Sequence, residues 1–169
     1  MKKVLGYLPL FACALAVLAM MGLVLPMAEI MTESYKGWDI VFGASETVTV
    51  RGEALDVKAC DFSVLNLAPY ILLVLGIACA LTVYKAGRAN NAAWSGALCF
   101  FAASLFFFYS PNFVRLNQEI EKAFKGLGVL KLDVELASGA ILAILSAIVA
   151  GICLLVANYT NKSKITMLK

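Results

Sequence analysis

Residues 136–157 read LASGAILAILSAIVAGICLLVA, with no Asp, Glu, Lys or Arg among them. A helix through this stretch rises about 1.5 Å per residue and covers the roughly 30 Å hydrocarbon core of a bilayer. Its small residues also have a period. Gly139, Ala143, Ala147 and Gly151 recur every fourth position, with Ser146 and Ala150 beside them. Small side chains at that spacing share one helix face and let a second backbone come close, which is how helices gain dispersion contacts in lipid. The stretch therefore predicts a membrane helix with a packing seam, serving the chain's own bundle or a homodimer or partner helix.

Working outward, three more charge-free apolar stretches appear at about residues 5–28, 67–84 and 92–109. The whole composition agrees, with 62% hydrophobic and 15% charged residues and a mean hydropathy of +0.88. These values lie far outside the soluble globular range. The expectation is an all-α membrane protein, a four-transmembrane-helix bundle forming one membrane domain over residues 1–169. Lys2 and Lys3 precede an apolar run much longer than a signal-peptide core, so the first helix is expected to be retained rather than cleaved near Leu10-Phe11-Ala12-Cys13. Pro26 is placed to kink or end it, and Glu29 follows at the interface.

Charge orients the bundle. Every acidic residue falls within Glu29–Asp61 or Glu119–Glu135, whereas Lys2, Lys3, Lys85, Arg88, Lys162, Lys164 and Lys169 lie in segments free of acid. By Lys and Arg count the two sides tie at seven each. The basic residues are spread evenly over the shorter, acid-free segments, which places those segments and both termini in the cytoplasm. The expected localisation is a plasma or bacterial inner membrane. The net charge of +3 has no basic cluster behind it, and no nucleic-acid partner is inferred.

Two loops then lie outside, at about residues 29–66 and 110–135. A structureless loop as long as the first is improbable in a compact protein. Trp38, Ile40 and Phe42 alternate, as do Val48 and Val50, and Leu55, Val57 and Ala59 continue the pattern. This predicts a small β-rich extracytoplasmic domain of two or three antiparallel strands, leaning on the bundle. In the second loop Phe113, Leu116, Ile120 and Phe124 fall at helical spacing, which predicts a short amphipathic helix ended by Gly126 and Gly128. The candidate partner-binding residues are Trp38, Ile40, Phe42, Phe113 and Ile120. The layout is similar to that of the claudin and peripheral-myelin tetraspan proteins. The resemblance is architectural. Where those families carry a Trp, Gly-Leu-Trp and paired-cysteine signature, this chain has Gly37-Trp38 and one cysteine, Cys60, so no functional residue is carried over.

The chemistry is sparse. The chain has no histidine, which removes the commonest general base and zinc ligand, and no charged residue inside an apolar stretch to relay a proton. No phosphate loop or nucleophile elbow is present. Cys13, Cys79, Cys99 and Cys153 lie on four different helices, at comparable depth of about 9–16 Å from the inner charged flank. Facing inward they could hold a thiolate-bound metal; as small apolar residues they suit packing, and packing is the expectation. Cys60 has no outer partner for an internal disulfide. No cofactor and no enzymatic activity are expected. The leading expectation is a non-enzymatic membrane interaction protein, an accessory or assembly subunit or a self-associating tetraspan. It would meet another protein, or its own copies, through the outer loop. An oligomeric transporter or channel component is the alternative, and a redox protein built on the cysteine layer the third reading.

Overall fold

The computed structural model describes residues 6–30, 33–50, 53–86, 90–116 and 134–166. Four long helices make up most of it: α1 (Leu8–Met20), α3 (Val64–Ala86), α4 (Asn90–Phe108) and α5 (Ser138–Thr166). Helices α1 and α4 each pack against both α3 and α5, which closes a ring in the order α1, α3, α4, α5. Chain direction alternates around that ring. Three helices are long and apolar enough to cross a membrane, over Val64–Ala86, Asn91–Phe108 and Ser138–Thr160. The first apolar helix is shorter, at Leu8–Leu23 including a closing 3₁₀ turn at Met21–Leu23.

That shortening corrects the expected span over residues 5–28. Pro26 has no N–H to continue a helical ladder and pushes Leu25 toward an extended conformation. The chain responds by tightening into the 3₁₀ turn and entering a strand, β1 (Pro26–Ile30), at the proline itself. Strand β1 lies between β2 (Glu33–Lys36) and β6 (Val134–Leu136), both antiparallel, with Ala28 opposite Tyr35 on one side and Leu136 on the other. Leu136 is thus the end of a strand, not the start of the last helix. A second sheet has the order β3 (Ala44–Val50), β4 (Glu53–Asp61), β5 (Arg115–Leu116). The β3–β4 hairpin matches the alternation at Val48, Val50, Leu55, Val57 and Ala59, all within two strands.

Each sheet thus takes a strand from both loops, rather than one sheet arising from the first loop alone. Two further expectations are corrected. Residues Gly37–Phe42 form a short helix, α2, where alternation suggested a strand. In the second loop Phe113 belongs to a 3₁₀ turn (Ser110–Phe113) and Leu116 to β5. Ile120, Phe124, Gly126 and Gly128 lie outside the described residues.

The two sheets and α2 form a cap over one end of the ring, where α1 and α4 finish and α3 and α5 begin. Ser63 ties the two together. Its N–H donates to Val41 O at 3.0 Å, and its hydroxyl donates to Phe113 O at 2.8 Å. The same oxygen accepts the Asn66 N–H at 3.4 Å, capping α3 in the usual serine manner.

Inside the ring the facing surfaces are small. Ala12, Ala16 and Ala19 of α1 and Ala140, Ala143, Ala147 and Ala150 of α5 are fully buried, so those backbones approach closely. On the α3–α4 side the space is filled by Leu73, Phe100, Phe107 and, from α5, Leu154. Phe100 lies over Gly76, where an added Cβ would strike its ring. The outward faces are apolar as well: Ile71, Val74 and Leu75 on α3, Leu98 and Leu105 on α4, Ile141, Leu145 and Ile152 on α5. A contiguous apolar exterior of this extent marks a surface that water does not wet.

Candidate functional site

The short helix α2 shapes the cap's outer surface. Its first turn is held by the Lys36 N–H donating to Asp39 Oδ2 at 3.2 Å, and it ends at Gly43, whose φ of +96° belongs to the left-handed region. A side chain at Gly43 would also bring its Cβ to 2.8 Å from Cys60 O. Glycine there is what lets the helix turn directly into β3.

Six residues of helix separate into two faces. Gly37, Ile40 and Val41 point down onto the bundle and are buried. Gly37 has no room for a Cβ, which would strike the Gly22 carbonyl and lie 2.7 Å from the Tyr70 hydroxyl. Trp38 and Phe42 point away from the bundle, at 57% and 44% exposure. One helical turn apart, they stack with ring centroids 4.2 Å apart. Phe62, 47% exposed at the end of β4, adds its ring 6.3 Å from Phe42. Three exposed aromatic rings in contact form a patch of the kind that proteins use for recognition or for seating in the membrane interface.

Next to the patch lies an open groove of about 400 Å³, lined by Phe42, Gly43, Ala44, Ser45, Cys60, Asp61 and Phe62. It pairs an aromatic wall with one half-buried carboxylate, Asp61. That combination can hold an apolar side chain and pair with a positive or hydrogen-bond-donating group beside it.

Of the residues singled out from sequence, Trp38 and Phe42 are brought together on this surface. Ile40 is not: it is 2% exposed and belongs to the core beneath. Phe113 is half-buried 6.1 Å from Phe106, away from the patch, and Ile120 lies outside the described residues. Phe62 was missed, although an aromatic directly before the helix-capping Ser63 sits where a chain leaves the sheet for the bundle.

The small stripe on α5 is occupied within the chain. Gly139 lies under Leu25 and the Pro26 carbonyl, Ala143 beside Gly22, and Gly151 under the Phe101 ring. Ala147 is fully buried between them. Between residues 139 and 157 the exposed residues of α5 are Ile141, Leu142, Leu145, Val149, Ile152 and Val156, all large and aliphatic.

The four helix cysteines do not converge. Cys13 places its thiol 3.9 Å from Ile77 O on α3, and Cys79 packs against Gly96 of α4. Among the described residues no three His, Cys, Asp or Glu side chains gather where a metal ion could bind. Cys60 is buried at the foot of β4, and no disulfide is formed.

Neither the protein-family profiles nor the curated proteins compared with this chain match it, so any functional reading rests on the geometry of its own cap and bundle.

Proposed function

We propose that the chain is an integral membrane protein without enzymatic activity. It would act as an accessory or assembly subunit, holding a partner protein through the Trp38–Phe42–Phe62 patch on an extracytoplasmic cap. The observation that carries this reading is the patch itself. Three large aromatic rings are left exposed, two on a helix whose other face is used in the core and one at the end of β4, beside a groove with one carboxylate. Aromatic side chains supply most of the energy of protein interfaces when they enter a desolvated pocket.

In this reading all four helices cross the bilayer. Helix α1 and its 3₁₀ turn fall short of a full span, but Phe11, Val17, Leu18 and Met21 on its exposed face are all apolar. A helix short by a turn is accommodated by local thinning of the bilayer at modest cost. Among the described residues the acidic ones belong to the segments of the cap and Lys85 to the opposite end of α3, which supports placing the termini in the cytoplasm.

The test is a photoreactive amino acid at Trp38, crosslinked in native membranes and read by mass spectrometry. One dominant protein partner, lost when Phe42 and Phe62 are changed to serine, supports the proposal. Crosslinks confined to lipid would make the patch a membrane anchor and overturn the recognition role. Crosslinks only between copies of the chain would replace the partner by self-association.

A further inference from the structure

Among the described residues, four buried side-chain atoms have no hydrogen-bond partner: Asn66 Oδ1, Asn66 Nδ2, the Tyr70 hydroxyl and the Ser110 hydroxyl. All of them belong to residues lining one small chamber between the cap and the bundle. The three polar residues come from the first two turns of α3 and the 3₁₀ turn after α4. Met27, Ile40 and Phe107 complete the wall, and each is 2% exposed or less. Tyr70 is fixed by the edge of its ring against Phe107, with centroids 5.2 Å apart. Asn66, Tyr70 and Ser110 are themselves 3%, 6% and 3% exposed, so bulk water does not reach them.

Buried polar groups in folded proteins are almost always paired, and three residues failing at one place is not scatter. The chamber has about 10 Å³ open to the centre of a water molecule. A polar site holds one water when about 10–15 Å³ is open to it in that sense and when it offers two to four polar partners. The donor and acceptor inventory narrows the occupant further. Asn66 presents an N–H₂ and a carbonyl oxygen together, and the two hydroxyls each give or accept. A cation would leave the amide N–H₂ facing a positive charge, and an anion would leave the carbonyl oxygen facing a negative one. A water both donates and accepts.

We infer that Asn66, Tyr70 and Ser110 form a built site for a single structural water, which joins the start of α3 to the turn after α4 beneath the cap. The site is neutral, lined by buried residues and sized for one molecule. It holds the 3₁₀ turn after α4 against the start of α3, on the side of the cap where Gly37 of α2 reaches the Tyr70 hydroxyl.

Radiolytic hydroxyl-radical labelling of the full chain in nanodiscs tests this, because a bound water is converted to a radical where it sits. Phe107 and Phe100 make a matched pair. Both are 0% exposed, but only Phe107 lines the chamber. Labelling of Phe107 several-fold above Phe100 is expected, with the excess abolished in Asn66→Leu, whose side chain fills the chamber and removes two of the polar atoms. Equal labelling of the two rings in the unaltered protein would overturn the inference, as would an excess that persists in folded Asn66→Leu. Should Asn66→Leu fail to fold, Ser110→Ala supplies the comparison, and reduced excess at Phe107 is the expected result.

Discussion

Replacing Ser63 by alanine removes two linked functions with one oxygen atom. The hydroxyl caps α3 through the Asn66 N–H and satisfies the Phe113 carbonyl at 2.8 Å, within a residue that is 1% exposed. Loss of a serine N-cap costs about 1 kcal/mol. Leaving a carbonyl without its donor costs about 1–3 kcal/mol when fully buried, and Phe113 is half-buried, so the lower end applies. The expected destabilisation is therefore about 2 kcal/mol, or roughly 4–8 °C in Tm for a chain of this size. The chain's two tryptophans sit at opposite ends, Trp38 on the cap and Trp94 near the start of α4. In a Trp94→Phe background the fluorescence of Trp38 reports cap melting alone. Thr82→Ala is the control. Its hydroxyl donates to Ala78 O at 2.9 Å, but that carbonyl already serves the helix ladder, so a shift below about 0.5 kcal/mol is expected. If Ser63→Ala melts within error of Thr82→Ala, the claim that Ser63 fastens cap to bundle fails.

Three further outcomes follow from the same geometry. Gly43→Ala forces a side chain into φ +96° with its Cβ 2.8 Å from Cys60 O, and should cost about 1–3 kcal/mol by denaturant titration, while Ser45→Ala nearby changes little. Ala147→Leu overfills the fully buried α1–α5 seam and should lower Tm by the equivalent of about 1–3 kcal/mol; Leu145→Ala, on the exposed face about half a turn away, should leave Tm nearly unchanged. Ile40→Ala should destabilise by about 2–5 kcal/mol, whereas Phe42→Ala should keep the melting curve and lose the partner crosslinked from position 38, which separates the two faces of α2 in paired assays.

How much of this was legible in the sequence depended on the range of the interactions involved. Apolar run length is local, and it located α3 and α4 to within a few residues and the start of α5 to within two, although α5 continues to Thr166, past the expected end at 157. The β3–β4 hairpin was visible for the same reason, since both strands and their turn are contiguous. Helix α2 was misread because in six residues a period of two and a period near four overlap. Trp38, Ile40 and Phe42 alternate, but the buried set is Gly37, Ile40 and Val41, at helical offsets of three and four. Val41 was the discriminating residue, because a strand would have turned it away from Ile40. The early end of α1 was half legible. Pro26 signalled an ending, but the strand it opens is completed on one edge by pairing with residues 134–136, which no local window contains. The same holds for the cap surface and the chamber. Phe62 joins Trp38 and Phe42, and Ser110 joins Asn66 and Tyr70, only after the chain has folded back on itself.

The pairing of Ala28 with Leu136 also sets an order of assembly. Strand β1 emerges with the first helix, yet its partner β6 is synthesised only after α3 and α4, immediately before α5. Throughout translation of the middle of the chain, one edge of β1 must wait unpaired, and an unpaired edge is where chains join wrongly. The cap is therefore finished last, by the segment that leads into the final helix. A nascent chain stalled before residue 134 would carry Trp38 and Phe42 on an incomplete scaffold. Completion of that sheet is then a built-in sign that the chain has been made as far as residue 136, with α3 and α4 already behind it.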